Sequence, residues 1–301
     1  MIDVSIIVCS YNRCENLRKL LQSVTALAMP RDLTWEVVVV DNNSTDETAN
    51  VAKTFCTRDT QHFRYVFEGQ QGKSFALNTA VKTARGRIFA FTDDDAILPA
   101  DWIARIVDEF AADPQLAGLG GRVELYNTED GAVGSRRGTT RFTLDLKHFP
   151  ADNIPIIGCN MAMKREVIDA LGGFDTGLGP GAKAGVGEDL DFLYRVLRSG
   201  FKIVYSPDVH VFHGHGRQTK AAIDRVRKNY IAGRGGFYWK HIRRGDRRVA
   251  KLAFWEVHGT LRRAWRAGVE GRTIRDELSV LGSLVKGAIA FAWHRRGNDF
   301  P

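Results

Sequence analysis

The chain is poor in cysteine and has no long apolar run. Its 301 residues include four cysteines, which form no C-x-x-C pair: Cys9, Cys14, Cys56 and Cys159. This set favours reduced thiols in a cytoplasmic protein over a disulfide framework or a zinc knuckle. No stretch reaches the roughly 18 uncharged apolar residues of a transmembrane helix, and no basic segment precedes the first apolar run. We therefore expect neither a membrane span nor a signal peptide.

Two common nucleotide-binding signatures are missing as well. No G-x-G-x-x-G follows the first apolar segment, which argues against a dinucleotide-dependent oxidoreductase. Gly72-Lys73-Ser74 contains part of a P-loop, but the spacer between two glycines that such a loop needs is incomplete. Lys73 is therefore a candidate for contacting a phosphate without belonging to a P-loop.

Charge is abundant but unevenly divided. The net charge is +8, yet residues 1–216 carry 23 basic and 28 acidic side chains, whereas residues 217–301 carry 20 and 7. The basic extension interleaves its arginines with aromatic residues, so it could contact nucleic acid or an anionic membrane. It contains no nucleic-acid-binding motif, and we expect no nucleic-acid partner.

Short apolar segments alternate with helical patterns in the first part of the chain. Four of them are rich in β-branched and aromatic residues and predict buried strands: residues 4–10, 35–40, 63–67 and 87–92. This alternation is typical of an α/β protein with a doubly wound, mostly parallel sheet. Polar clusters follow three of the strands, at residues 10–12, 41–46 and 93–95. Because ligands bind at the carboxyl ends of such strands, we expect the site there.

Asp93-Asp94-Asp95 is the strongest local signal. Three adjacent carboxylates at a strand end repel one another, so they indicate a site that binds something positive. Oxygen ligands of this kind suit Mg²⁺ or Mn²⁺, and Mg²⁺ is usually held by one or two carboxylates together with substrate phosphates. The alternative is a solvated acidic turn.

A second acidic cluster, Glu188-Asp189-Leu190-Asp191, follows a glycine-rich loop and opens a predicted helix. Acidic residues in a first helical turn often only interact favourably with the helix dipole. Beside the first acidic cluster, a general base is the better interpretation.

Three histidines form a third candidate group. His210, His213 and His215 follow a strand that we expect to end near residue 206. Histidines grouped at a strand end indicate a metal or phosphate ligand, against the alternative of structural loop residues.

Five segments, in this order and at matching spacing, resemble family-2 glycosyltransferases: VSIIVCSYNR, EVVVVDNNSTDET, ARGRIFAFTDDDAILP, GCNMAMKREVIDALGGFD and GEDLDFLYRVLRSGFKIVYSPDVHVFH. The resemblance implies an A-type glycosyltransferase fold, a Rossmann-like, mostly parallel sheet flanked by helices. It places a catalytic domain at residues 1–216, with a nucleotide-sugar half at about 1–115 and an acceptor half at about 116–216. Residues 217–301 are then a basic amphipathic helical extension.

The resemblance also implies a role for each candidate residue. Asp95 would hold the Mn²⁺ or Mg²⁺ that binds the donor diphosphate, His213 would contact the metal or the diphosphate, and Asp93 would contact the ribose or the sugar. Asp189 matches the catalytic base, with Glu188 as its neighbour. The remaining candidates would line the nucleotide-sugar pocket, with Asp41 reading the base: Ser10, Tyr11, Asn12, Asp41, Lys73 and Asp94.

The implied activity is metal-dependent, inverting transfer of a sugar from a nucleotide-diphospho-sugar, UDP-linked, to an acceptor hydroxyl. Such an activity would belong to the synthesis of a cell-envelope glycan, a polysaccharide or a glycolipid. One alternative is a nucleotidyltransferase, but that class needs a phosphate loop rich in glycine and arginine where Ser10-Tyr11-Asn12-Arg13 stands. Another is a non-catalytic membrane- or partner-binding protein, which leaves the acidic clusters unexplained.

The apolar run LSVLGSLVKGAIAFAW, residues 278–293, is the most membrane-like part of the extension. As a helix it spans about 24 Å, short of the roughly 30 Å hydrocarbon core, and Lys286 lies near its middle. We expect it to lie in the interface of an anionic membrane, with Arg295 and Arg296 among the headgroups. The enzyme would then be peripheral on the cytoplasmic membrane face, beside a lipid-linked acceptor. Packing of the helices against the sheet, or in an oligomer, is the alternative.

Overall fold

The computed structural model describes residues 2–270 and 273–296. Strands and helices alternate at the start of the chain, as the sequence predicts: β1 (Val4–Ser10), α1 (Cys14–Thr25), β2 (Trp35–Asp41), α2 (Thr48–Arg58), β3 (Phe63–Phe67), α3 (Lys73–Thr83) and β4 (Ile88–Asp93). The rest of the body is β5 (Ala96–Ile97), α4 (Trp102–Ala112), β6 (Leu116–Leu125), β7 (Phe142–Thr143), β8 (Met161–Lys164), α5 (Arg165–Leu171), α6 (Glu188–Arg198) and β9 (Lys202–His213). Short 3₁₀ turns occur at Leu146–His148 and Gly158–Asn160.

The described strands form one mixed sheet in the order β3-β2-β1-β4-β8-β6-β9-β5, with β7 beside β9. Strands β1 to β4 run parallel, and so do β6 and β9. Strand β8 is antiparallel to both of its neighbours. The expected α/β fold with a mostly parallel sheet is thus confirmed.

Both faces of the sheet are covered, which explains the continuous apolar runs. Successive side chains of a strand point to opposite faces. Ile6 and Val8 pack in one core with α1, α2 and α4, whereas Ile7 packs in the other with α3, α5 and α6. A strand buried on both sides has no polar alternation, and the sequence of β1 has none.

Strand β9 is longer than the sequence predicts. The expected strand ends near residue 206, but β9 continues to His213. Its pairing with β6 shifts register between Gly121, opposite Ser206, and Arg122, opposite His210. This bulge accommodates Pro207 without ending the strand. His210 and His213 therefore lie within the strand, and only His215 follows it.

Residues after the body form three long helices, α7 (Lys220–Arg243), α8 (Arg247–Val269) and α9 (Arg275–Arg296). Helix α7 packs extensively on α9, and it also contacts α6 and α8. In the residues that the structure describes, no helix is long and apolar enough to cross a membrane. The expected helical extension is present.

Candidate active site

The polar clusters at the ends of β1, β2 and β4 meet at one edge of the sheet. The register of β1 on β2 sets Ser10 opposite Asp41, and that of β1 on β4 sets Cys9 opposite Asp93. The carboxyl ends of these strands therefore bring residues 10–12, 41–46 and 93–95 together, as the sequence predicts.

Each carboxylate of the first acidic cluster contacts a cation of the chain. Lys73 Nζ lies 2.6 Å from Asp93 Oδ1. The Nη1 atom of Arg13 lies 3.1 Å from Asp94 Oδ1 and 2.6 Å from Asp95 Oδ2. Burial raises the pKa of Asp94 to about 6 although Arg13 opposes the shift. Asp94 also accepts a hydrogen bond of 2.7 Å from Ser10 Oγ, so both of its oxygens face the protein.

His213 lies against the last aspartate of the cluster. Antiparallel pairing of β5 with β9 sets Ala96 opposite His213, and His213 Nε2 is 3.1 Å from Asp95 Oδ1. Burial alone would lower the pKa of His213, but the hydrogen bond and charge of Asp95 outweigh it and raise the pKa. Burial alone would likewise raise the pKa of Asp95, yet His213 and Arg13 hold it well below its usual range.

The donor atoms beside this pair suit a hard divalent cation. The ligand atoms of Asp93, Cys159 and His213 lie within 4.8 Å of one another, and Asp95 contacts the same imidazole. Burial raises the pKa of the Cys159 thiol well above its ordinary value, so the sulfur stays protonated and is a poor ligand. The carboxylate oxygens fit Mn²⁺ or Mg²⁺.

The second acidic cluster faces the first. Helix α6 begins at Glu188, and Asp189 Oδ2 accepts a hydrogen bond of 2.8 Å from the backbone N–H of Gly158. A Cβ atom at position 158 would lie 2.8 Å from both carboxylate oxygens, so a larger residue there would displace the Asp189 carboxylate. Asp189 Oδ1 is buried and has no hydrogen-bond partner in the described part of the chain.

Lys73 stands between the two acidic clusters. Burial alone would lower its pKa, but Asp93, Asp189 and Glu188 outweigh burial and raise the pKa well above the ordinary value. Burial, followed by the charge of Asp189, raises the pKa of Glu188 to about 8. Burial also raises the pKa of Asp189, against the opposing charge of Lys73.

A pocket opens between the clusters. It is lined by residues of β1, α3, β4, β8 and α6, of the turn before β8 and of the loop before α6: Cys9, Lys73, Leu77, Phe91, Thr92, Asp93, Gly158, Met161, Phe174 and Asp189. The lining combines apolar side chains with three charged groups, Lys73, Asp93 and Asp189.

The other predicted nucleotide residues form a rim beside this pocket. Asp41 is buried and accepts hydrogen bonds of 3.0 Å from Ser44 N–H and 3.0 Å from the Tyr65 hydroxyl. Asn12 Oδ1 accepts one of 2.7 Å from the N–H of Thr45. Tyr11 is 45% exposed and free to stack on a planar group.

Sequence reasoning missed three residues of the site. Arg13 and Cys159 lie inside the quoted motifs, and a basic side chain next to Asn12 at a strand end was a usable signal for Arg13. Tyr230, on α7, had none, because only the fold brings it close. Burial, with the charges of Glu188 and Asp189, raises the pKa of Tyr230 to about 12. The charges of the second acidic cluster therefore act on a residue of the extension.

Comparison with known proteins agrees with this arrangement. The family described as "Glycosyl transferase family 2" matches residues 5–172. The chain belongs to glycosyltransferase family 2. It is therefore a glycosyltransferase, and the nucleotidyltransferase and non-catalytic alternatives are set aside.

Two curated relatives match most of the chain. The glycosyltransferase AglE of Haloferax volcanii is 27% identical over 259 residues, which cover 86% of this chain and 81% of that protein. The succinoglycan biosynthesis protein ExoM of Rhizobium meliloti is 27% identical over 272 residues, covering 90% and 81%.

A solved structure supports the fold. The mannosyltransferase PcManGT from Pyrobaculum calidifontis, in complex with GDP-Man and Mn²⁺, superposes with a TM-score of 0.62 at 23% identity and covers 97% of this chain and 87% of that one. The similarity establishes the A-type glycosyltransferase fold for this member of the family.

Proposed function

We propose that this glycosyltransferase moves a sugar from a nucleotide-diphospho-sugar to an acceptor hydroxyl with inversion at the anomeric carbon. The observation that carries the proposal is the Asp189 carboxylate. One of its oxygens is fixed by Gly158 N–H, while the other is buried without a partner among the described residues, in the wall of the pocket. A buried acceptor costs free energy unless it is hydrogen-bonded, so Oδ1 is suited to receive a hydroxyl donor.

In this mechanism Asp189 is the general base. Its Oδ1 takes the proton of the acceptor hydroxyl as that oxygen bonds to the anomeric carbon. The bond from that carbon to the donor phosphate oxygen breaks, and the electron pair leaves with the nucleoside diphosphate. Holding both substrates in line supplies several kcal/mol of the lowering of the barrier. Burial and the charge of Asp189 raise the pKa of Glu188, which favours its protonated form and leaves Asp189 as the carboxylate of the pair that accepts the proton.

A divalent cation, Mn²⁺ or Mg²⁺, would be held by Asp95 and His213, next to Asp93 in the wall of the pocket. When bound, such an ion neutralises charge that develops on a leaving diphosphate. That PcManGT was crystallised with Mn²⁺ supports this assignment. Lys73, which pairs with Asp93, is placed to meet a phosphate oxygen in exchange for that carboxylate.

We assign the nucleotide to the rim of the pocket. Ser10 ends β1, Tyr11 and Asn12 follow it, and Asp41 ends the neighbouring strand, so together they form this polar rim beside Asp93 and Asp94. UDP is the proposed nucleotide, with Asp41 reading the base. ExoM, by its name a polysaccharide biosynthesis protein, supports polysaccharide or glycolipid synthesis as the setting.

A donor panel tests the activity. UDP- and GDP-linked sugars are incubated with the protein and simple glycoside acceptors in Mn²⁺, in Mg²⁺ and in EDTA, and the release of nucleoside diphosphate is followed. We expect release from a UDP-sugar that EDTA abolishes and Mn²⁺ restores. The anomeric proton of the product is then assigned by NMR. Retention of configuration would contradict the proposed base, and EDTA-resistant turnover would contradict the metal.

We also propose that the extension holds the enzyme on the cytoplasmic face of an anionic membrane, beside a lipid-linked acceptor. Helix α8 carries a row of exposed apolar side chains with exposed fractions between 51% and 69%: Phe254, Trp255, Leu261 and Trp265. Helix α9 adds Leu278, Val285, Ile289 and Trp293, which are 51–68% exposed. The exposed apolar face thus extends beyond the segment 278–293 that the sequence indicates. Arg295 and Arg296, which we expect to contact the headgroups, are the last residues of α9, and their side chains lie outside the part of the chain that the structure describes.

The charges on α8 suit the same surface. Lys251, Arg262 and Arg266 lie exposed among the aromatic residues. The acidic residue of the helix, Glu256, instead pairs inward with Arg234 at 2.6 Å. Aromatic side chains with basic neighbours on one helix face bind the interface of anionic membranes, where each basic residue contributes about 1 kcal/mol.

A further inference from the structure

A buried lysine of the extension joins two acidic motifs of the catalytic body. Lys240 lies on α7 and is 6% exposed. Its Nζ atom is 2.7 Å from Asp175 Oδ2 and 2.7 Å from Asp191 Oδ1. Asp175 belongs to the glycine-rich loop before α6, and Asp191 lies in the first turn of α6, two residues after Asp189. One ammonium group therefore connects the loop, the helix and the extension.

Asp191 is held from three sides. Besides Lys240, Arg195 Nε lies 2.8 Å from its Oδ2, and His241 Nε2 lies 2.9 Å from its Oδ1. Burial would raise the pKa of Asp191, but Lys240, His241 and Arg195 hold it well below its usual range. A buried carboxylate with both oxygens in charge-assisted hydrogen bonds has a single orientation. The first turn of α6 is fixed by it.

Backbone contacts fix the residues just before that turn. The N–H of Val186 donates to the carbonyl oxygen of Asn229 on α7 at 3.1 Å. A Cβ atom at Gly233 would overlap the Val186 carbonyl oxygen, so α7 touches the chain directly there. Residues 186 and 191 are thus both anchored on α7, and Glu188 and Asp189 lie between the anchors.

We propose that Lys240 is a positioning residue that sets the orientation of the Asp189 base through Asp175 and Asp191. The proposal rests on the proposed role of Asp189. Without the ammonium group, two buried carboxylates lose their shared cation, and the first turn of α6 moves to relieve the uncompensated charge. A displacement of about 1 Å at a catalytic group can lower turnover by about 10²-fold.

The test compares Lys240→Met with Lys228→Met, a control at an exposed lysine of the same helix. We expect kcat of Lys240→Met to fall about 10²-fold while KM for the donor stays within about threefold. Hydrogen exchange measured by mass spectrometry should accelerate in residues 186–192 and remain unchanged in β1 to β4. The control should match the wild-type protein in all three readouts. Unchanged kcat and exchange in Lys240→Met would overturn the proposal.

A second variant covers the case in which Lys240→Met does not fold. Asp175→Asn/Lys240→Met removes one buried negative and one buried positive charge together, and it leaves Asp191 paired with Arg195. We expect it to fold, with faster exchange at 186–192 and a similar loss of kcat. A wild-type kcat in this variant would overturn the proposal. A failure of the proposed function can be distinguished from a failure of this proposal. If Asp189 is not the base, Asp189→Asn remains fully active. The hydrogen-exchange result for the Lys240 variants does not depend on turnover and still tests the positioning role.

Discussion

At the scale of single residues, the site consists of carboxylates that the chain itself neutralises. Arg13 contacts Asp94 and Asp95, and Lys73 contacts Asp93. The aspartates were predictable because a run of three after a buried strand is a local pattern. Their basic partners were harder to predict. Arg13 is about 80 residues from Asp94 and Asp95 in the sequence, and only the pairing of the strands brings it to them.

The metal assignment predicts the effect of Asp95→Ala. The variant loses a carboxylate beside His213, so we expect turnover to fall about 10²- to 10³-fold and the apparent affinity for Mn²⁺ to weaken. Nucleotide release across a Mn²⁺ titration, together with free Mn²⁺ measured by electron paramagnetic resonance, checks both effects. Asp108→Ala, at an exposed position of α4, is the control. Near-normal turnover of Asp95→Ala at saturating Mn²⁺ would show that the ion is held elsewhere.

Glu188 predicts a pH dependence of stability. Its pKa of about 8 exceeds the ordinary 4.5, so between these values the folded state holds a proton that the unfolded chain has released. The free energy of unfolding should therefore fall as the pH rises from about 5 to about 8. Glu188→Gln should flatten this fall in urea titrations, while Glu15→Gln, at an exposed position, should not. Asp94 and His213 titrate in all three proteins, so their contribution to the pH dependence is the same in each. Parallel plots of unfolding free energy against pH for the wild-type protein and Glu188→Gln would therefore refute the raised pKa of Glu188.

At the scale of elements, contacts between residues far apart in the sequence determine where β9 ends and how the loop before α6 packs. The strands of the parallel half were predictable from their apolar runs. The length of β9 was not, because the proline that indicates a strand end lies in a bulge against β6. The glycines before α6 indicate a loop in the sequence, yet several of them pack closely against α7. A Cβ atom at Gly185 would contact the Asn229 carbonyl oxygen, and one at Gly187 would contact the backbone of Gly233.

A pair of helical glycines tests the contact between α7 and the loop. Gly233→Ala places a methyl group on the Val186 carbonyl, which is backbone and cannot move aside cheaply. We expect a loss of about 1–3 kcal/mol of unfolding free energy, the usual cost of overpacking. Gly282→Ala, in α9 with nothing within 4 Å of its added Cβ, should gain about 0.5–1 kcal/mol. Urea titrations measure both. Equal stability of the two variants would contradict a close contact at Gly233.

At the scale of the whole molecule, the uneven charge of the sequence corresponds to a division of surfaces. Two acidic clusters of the body, residues 93–95 and 188–189, lie around the pocket. In the extension, basic residues such as Lys251, Arg262 and Arg266 lie beside an exposed aromatic face. The sequence indicated this face only in part, since exposure depends on which side of α8 packs inward. It gave no sign that α7 contributes Lys240 and Tyr230 to the body, because neither belongs to a local motif.

The membrane proposal predicts vesicle binding. The full chain should float with vesicles that contain phosphatidylglycerol, remain below with pure phosphatidylcholine, and dissociate as salt rises. Trp255→Ala/Trp265→Ala should weaken binding about tenfold or more, because two aromatic side chains no longer leave water. Phe67→Ala, an exposed aromatic residue of the body, is the control. A chain that stays with the soluble fraction at low salt, or a double variant that binds like wild type, would contradict the proposal.

The central claim is that Asp189 is the base of an inverting transfer, and Asp189→Asn tests it most directly. The amide keeps the shape of the side chain and can still accept from Gly158 N–H through its oxygen, but it cannot take a proton. We expect kcat to fall about 10²- to 10⁴-fold, while donor affinity measured by calorimetry stays within about threefold. Wild-type kcat in the variant, or an equal loss of donor affinity and rate, would contradict the claim.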